Sequence, residues 1–191
     1  MKRCDWLNLN NLLYVDYHDN EWGVPVFDDN KLFEMLILEG AQAGLSWETV
    51  LNKRENYRLA FDYFNPTIIA NYDESKELEL LQNPGIIRNK LKIKSVIKNA
   101  RAFLEIQKEF GSFSNYIWGF VGNKTIINNF EKLSDYQNKT EISDKISKDL
   151  KKRGMNFVGS TIIYAFMQAT GMVNDHGQGC FKCKKTRSLN F

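Results

Sequence analysis

Residues 78 to 104 carry two apolar runs at helical spacing, Leu78, Leu80 and Leu81 before the tripeptide Asn83-Pro84-Gly85, and Ile93, Val96, Ile97, Ala100 and Leu104 after it. Apolar side chains returning every three or four residues build one face of a helix, and adjacent proline and glycine build a turn. Two helices flanking a tight hairpin are therefore predicted. The same period recurs elsewhere. Leu32, Phe33, Met35 and Leu36 mark the core face of an earlier helix, and another is expected to start after Ser46, an N-cap with Glu48 in the first turn, and to run toward Tyr57. Asn65 before Pro66 reads as a cap followed by an N1 proline. Ser143 is read as the cap of a helix ending at Gly154, and Val158 to Thr170, apolar nearly all round, as a buried helix closing at Gly171. Residues 122 to 140 are polar and weakly periodic and read as a long surface connection. Strand signals are weak throughout, so the fold class is all-α.

With 191 residues, 43% of them hydrophobic, the chain can fold unaided as one domain or two small lobes. No apolar run approaches the roughly 18 residues of a membrane span, and the first ten residues lack the build of a signal peptide, so a cytoplasmic protein with no membrane partner is expected. Three cysteines suit a disulfide framework poorly; in a reducing compartment, clustered cysteines more often bind metal, with redox pairing as the competing use. The soft ligands sit only near the chain ends: Cys4 and His18 at one, His176, Cys180 and Cys183 at the other.

The net charge of +3 decides little, but its distribution is uneven. Arg88, Lys90, Lys92, Lys94, Lys98 and Arg101 precede the next acidic residue, Glu105. Such a run is either a solvated helix face or a polyanion site. Gly85, Ile86 and Ile87 lie in a turn entering a helix, where free N–H groups and the helix dipole suit a phosphate, a grip that reads no bases.

Residues 12 to 23 mix Tyr14, Tyr17 and Trp22 with Asp16, Asp19, Asn20 and Glu21, a pattern that fits neither a clean helix face nor a strand and suits either core aromatics or a pocket. Glu39 falls seven residues after Leu32, four after Met35 and three after Leu36, on the apolar face of its helix. A carboxylate there faces inward or lies at an exposed helix end. Beyond it, Gly44 and Leu45 form a small, apolar loop tip before Trp47, whose ring suits a flat ligand; structural glycines in a turn are the plainer account.

The segments RCDW, YHDNEWGVP, KLFEMLILEGAQAGLSWETVLNKRENYR, GIIRNKLKI and LKKRGMNFVGSTIIYAFMQATGMVNDH, with the cysteine that follows, carry a resemblance. Over nearly its whole length the chain resembles the DNA-3-methyladenine glycosylase I family. The resemblance implies a helix-hairpin-helix DNA glycosylase fold in one unit of two helical lobes, approximately residues 31 to 130 and residues 1 to 30 with 131 to 191. It implies removal of N3-methyladenine from DNA; with it are expected base flipping out of double-stranded DNA containing alkylated bases, little lyase chemistry, since no active-site lysine nucleophile stands out, and a chain acting as a monomer. It implies one structural Zn2+ joining the termini through Cys4, His18, His176 and Cys180, with Cys183 left over. Residue by residue, it places Glu39 as the catalytic group and Tyr17, Trp22, Trp47, Trp6 and Tyr14 around the base. Gly44, Leu45, Gly85, Ile86, Ile87, Arg88, Lys90 and Lys92 fall on DNA. The competing expectation is a non-catalytic zinc-stapled DNA-binding protein. A nuclease is disfavoured, because no clustered aspartate and glutamate set for magnesium stands out.

Overall fold

Side-chain caps start most helices of the computed structural model, in which residues 1–186 are described. Asn11 accepts the Leu13 and Tyr14 N–H groups at the head of α1 (Leu12–Asn20), and Asp28 accepts Lys31 N–H at the head of α2 (Asp29–Gln42). Ser46 caps α3 (Trp47–Leu51) as expected, but the helix breaks at Asn52 and Lys53 and resumes as α4 (Arg54–Ala60). Asn65 and Pro66 open α5 (Pro66–Ile69), Asp73 caps α6 (Glu74–Gln82), Asn89 caps α7 (Lys90–Phe110) and Ser112 caps α8 (Phe113–Gly119). After α9 (Glu141–Lys152), α10 (Ser160–Ala169) and a short α11 (Phe181–Thr186) complete the helices. The fold is thus mostly helical.

Three local expectations are corrected. Residues 12–20 are helical although their apolar pattern is poor, because the Asn11 cap and tertiary burial of Tyr17 and His18 override the weak period. Ser143 is not the cap of α9: Thr140 is, and Ser143 is its capping-box partner, donating its N–H to Thr140 Oγ1 while its own Oγ accepts Thr140 N–H. The connection from 122 to 140 does run over the surface, but it carries secondary structure that the expectation lacked. Its β1 (Ile126–Ile127) pairs in parallel with β2 (Val173–Asn174), and Phe130 is buried.

The core forms around α2, whose residues 32 to 41 are all buried, because α10 covers one side and α7 and α8 another. Along α7 the predicted stripe is buried at Ile93, Val96, Ile97 and Ala100 but only half-buried at Leu104, and Phe103 and Ile106 extend it. Phe103 packs on Phe33 of α2 at 4.9 Å and on Phe113 of α8 at 4.2 Å between ring centroids. Truncating a fully buried Leu or Phe here to alanine costs about 2–5 kcal/mol. Asp29 ties the head of α2 to that of α8 by accepting the Phe113 and Ser114 N–H groups, each at 2.8 Å. Gly171 ends α10 at φ +70°, and a Cβ there would stand 2.4 Å from the backbone at Val24 and Pro25, so only glycine permits this approach. Among the described residues no helix is long and apolar enough to cross a membrane.

A buried charge network fixes the outer wall of this core. Arg54, 5% exposed, donates to Glu34 Oε1 at 2.6 Å and grips both oxygens of Glu21 at 2.7 and 2.8 Å, joining α4, α2 and the end of α1. Burial works to raise the Glu21 pKa, but Arg54 and Lys31 outweigh it and bring Glu21 down to about 2. Trp22 follows Glu21 directly and inherits that anchorage.

Candidate active site and metal centre

The two chain ends meet. Cys4, His18, His176 and Cys180 are all buried, and one ligand atom from each lies within 4.8 Å of the others. His176 Nδ1 stands 3.5 Å from both Cys4 Sγ and Cys180 Sγ, and His18 Nε2 stands 3.6 Å from Cys180 Sγ. Zinc bonds of about 2.3 Å to sulfur and 2.0–2.1 Å to nitrogen, at a tetrahedral angle, put sulfur and nitrogen about 3.5 Å apart. The four residues therefore suit a tetrahedral metal. The opposite ring nitrogens are also held: His176 Nε2 donates to the Trp22 carbonyl at 3.0 Å, and His18 Nδ1 to Asp19 Oδ1 at 2.8 Å. Arg3 locks Asp19 in turn with bonds of 2.8 to 3.0 Å. Such outer partners select the tautomer that presents the metal-binding nitrogen. His176 and Cys180 are joined by a turn closed by Cys180 N–H on Gly177 C=O, ahead of α11, so their spacing is not that of a helix. Cys183 is buried but lies outside the four-residue group.

Beside this cluster lies a cavity of about 270 Å³ lined by Trp6, Tyr14, Tyr17, Trp22, Glu39 and Trp47, all six residues expected around a base. The rings form a connected wall: Trp6 packs on Trp22 at 4.8 Å and on Tyr14 at 5.5 Å, and Tyr17 on Trp47 at 5.2 Å. The Trp22 backbone carbonyl accepts from His176, so the Cys/His group and the cavity share a wall.

Glu39 is 3% exposed, and among the described residues neither of its carboxyl oxygens has a hydrogen-bond partner; Oε2 is fully enclosed. Burial pushes its pKa up to about 8, which favours the protonated acid near neutral pH. Trp47 Nε1–H is likewise enclosed without an acceptor. An orphan acid and an orphan donor cost free energy in a closed core, and their placement in one cavity points to a ligand that satisfies both. Burial first, then Glu48 and Glu39, raises Tyr14 to about 12, and burial and Glu39 raise Tyr17 well above its usual value, so both stay phenols.

Four further lining residues escaped the sequence reading: Gln42, Tyr136, Ala165 and Gln168. Gln42 was within reach, three residues after Glu39 on the same helical face. Gln168 is the polar residue near the end of the otherwise apolar stretch 162–169 of α10, and Tyr136 comes from the segment read as a surface connection.

The other expected residues lie on neighbouring elements. Gly44, at φ +78°, has open space where a Cβ would stand, and Leu45 is 43% exposed on the loop between α2 and α3. On the α6–α7 turn, the N–H groups of Gly85, Ile86 and Ile87 are not free: they donate to Asn83 Oδ1, Asn83 C=O and the Tyr57 hydroxyl. Ile86 is also buried. The expectation of free N–H groups at those residues is corrected. Among the described residues, the unpartnered N–H groups at this helix entry are those of Arg88, Lys90 and Leu91, all exposed. Lys92, placed by resemblance near phosphate, instead directs its ammonium inward to the Ala41 and Ala43 carbonyls.

Residues 6–183 match the sequence profile of the methyladenine glycosylase family. The chain is 51% identical over 180 residues to DNA-3-methyladenine glycosylase 1 of Escherichia coli, covering 94% of this chain and 96% of that protein. It is 49% identical over 182 residues to DNA-3-methyladenine glycosylase of Haemophilus influenzae, covering 95% and 97%. A crystal structure of 3-methyladenine DNA glycosylase I superimposes with a TM-score of 0.92 at 53% identity, covering 94% and 98% of the two chains. The Staphylococcus aureus enzyme, solved to explain 3-methyladenine recognition, gives 0.87 at 34% identity over 89% and 90%. With cavity, ring wall and family profile in agreement over the same residues, the chain belongs to the methyladenine glycosylase family.

Proposed function

We propose that the cavity encloses an N3-methyladenine flipped out of alkylated double-stranded DNA and that the protein hydrolyses its N-glycosylic bond, the opening step of base-excision repair. The observation that carries this is the pairing of Glu39 and Trp47, both without partners, inside one cavity walled by electron-rich rings. Relatives named for this activity, about half identical over nearly the whole chain, support it.

A lesion is cheaper to unstack than a normal base, which gives part of the selectivity before any contact forms. The cationic purine then stacks on the ring wall, with a cation–π contribution of roughly 0.5–2 kcal/mol that neutral adenine lacks. Its positive charge beside Glu39 favours the carboxylate over the acid, and the carboxylate accepts from the exocyclic amine. The C1′–N9 bond breaks with its electron pair going to the purine, which leaves neutral. The oxygen of water bonds C1′, and the water proton is lost to solvent. Glu39 thus offsets developing positive charge and reads the base without attacking the sugar. The products are free 3-methyladenine and an abasic site.

DNA docking is assigned to a helix-hairpin-helix formed by α6 and α7, with a phosphate at the free N–H groups of Arg88, Lys90 and Leu91 and Leu45 entering the duplex. Cys4, His18, His176 and Cys180 would hold one structural Zn2+, which leaves no open ligand position and so ties the chain ends together without taking part in the reaction. The two-lobe division follows the same logic, with the terminal lobe closed by the metal. The chain is taken to act as a monomer in the cytoplasm, a reducing compartment that suits three cysteines with no disulfide among them. Incubation with methylated duplex DNA tests the activity: free 3-methyladenine is expected, whereas binding without release would favour a non-catalytic module.

A further inference from the structure

Gln168 lines the cavity from α10, and its amide is not free to turn. Its Nε2 donates to Asp175 Oδ2 at 2.8 Å. Asp175, 1% exposed, is itself fixed: Oδ2 also accepts the Tyr164 hydroxyl at 2.7 Å, and Oδ1 accepts Asn128 Nδ2 at 2.7 Å. Donors surround this carboxylate, so the amide end facing it has to be the nitrogen. The carbonyl Oε1 is left with no protein donor. Gln42, on the same cavity, makes no side-chain hydrogen bond among the described residues, and its amide can present either end. Gln168 is therefore a fixed acceptor, while Gln42 is adaptable.

We propose that Gln168 is a specificity residue, its carbonyl held toward the ligand by Asp175 so that the cavity selects a purine with a 6-amino group against one with a 6-oxo group. The inference rests on the glycosylase reading of the cavity and adds the criterion by which the base is chosen. An exocyclic amine donates to the fixed carbonyl. A 6-oxo group opposes oxygen to oxygen and leaves both acceptors unpaired once the ligand covers the half-buried Gln168, a larger penalty than the loss of one contact.

The test compares binding of free 3-methyladenine and 3-methylhypoxanthine, which differ at position 6, to the wild-type protein and to Gln168→Met, by titration calorimetry. Methionine keeps the length and flexibility of the side chain and removes the acceptor. Wild type is expected to prefer 3-methyladenine by roughly tenfold or more, and Gln168→Met to shrink that ratio about fivefold, chiefly by weakening 3-methyladenine. A merely structural role would weaken both ligands equally and leave the ratio unchanged, which overturns the proposal. Should Gln168→Met fail to fold, a wild-type ratio near one overturns it, and Gln168→Leu serves as the second variant. Failure of the wild type to release base from methylated DNA would sink the glycosylase reading itself; release with an unaltered ratio sinks only the role of Gln168.

Discussion

The ammonium of Lys92 caps the C-terminal end of α2, 2.8 Å from the Ala41 carbonyl and 2.7 Å from that of Ala43. These carbonyls have lost their helical partners, and a cation beside them also complements the helix dipole. The loop carrying Gly44 and Leu45 leaves α2 at this point, so Lys92 sets the direction in which that loop projects. Replacing it with methionine is expected to destabilise the protein by about 1–3 kcal/mol, the range for a hydrogen bond to a charged group. Base release from duplex DNA should fall, with affinity for free 3-methyladenine unchanged. Equal loss of both would place Lys92 at the base cavity instead.

Glu39 makes stability depend on pH in a definite direction. Its folded pKa of about 8 lies above its ordinary value of 4.5, so the folded chain holds its proton more tightly than the unfolded one. The favourable contribution is full below about 4.5 and is lost as pH rises toward 8. Glu39→Gln keeps the shape and cannot ionise. Relative to wild type, the variant should gain about 3–4 kcal/mol between pH 5 and pH 8, read by denaturant melts at each pH. A difference independent of pH would show that the carboxyl group is solvated.

The hairpin, the buried α10 and the inward placement of Glu39 were legible because each rests on local rules, namely turn chemistry, apolar period and the register of one side chain on a helical face. What was not legible depends on distant chain. Nothing in the residues around Gln168 announces that Asp175 and Asn128 converge on it, and the weak period of residues 12–20 hid a helix that burial of Tyr17 and His18 stabilises. The N–H groups of Gly85 and Ile87 looked free because Asn83 turns back on one and the Tyr57 hydroxyl, thirty residues away, takes the other. The grouping of Cys4, His18, His176 and Cys180 was reached through family resemblance; the ring-nitrogen partners, Asp19 and the Trp22 carbonyl, emerge only in three dimensions.

Trp47 is expected to govern base binding more than fold. Its ring faces Tyr17 across 5.2 Å, and its indole N–H has no protein acceptor to lose. Trp47→Leu removes the cation–π contribution and the orphan donor together. Affinity for the cationic base should fall about tenfold or more, with a smaller effect on neutral purines. Fluorescence titration with cationic and neutral methylated purines checks this, and an equal loss for both would assign Trp47 to general packing.

The metal cluster gives the sharpest separation between ligand and bystander. Cys4, His18, His176 and Cys180 could hold one metal ion, and on the proposed zinc reading their closed set leaves no place for a fifth residue. Cys4→Ser should lose the zinc and a large part of the thermal stability, because the bond between the chain ends is then gone. Cys183→Ser should retain one zinc per chain, since Cys183 lies outside the four. Asp19→Ala tests the outer partner. It leaves all four ligands in place but releases His18 Nδ1 from its 2.8 Å bond and Arg3 from its carboxylate, and zinc affinity should fall roughly 10- to 100-fold. Metal analysis of the three purified variants, with competition against a chelator for Asp19→Ala, reads each outcome. Zinc retained in Cys4→Ser and lost in Cys183→Ser would transfer the site to the Cys180–Cys183 pair and break the link between the termini.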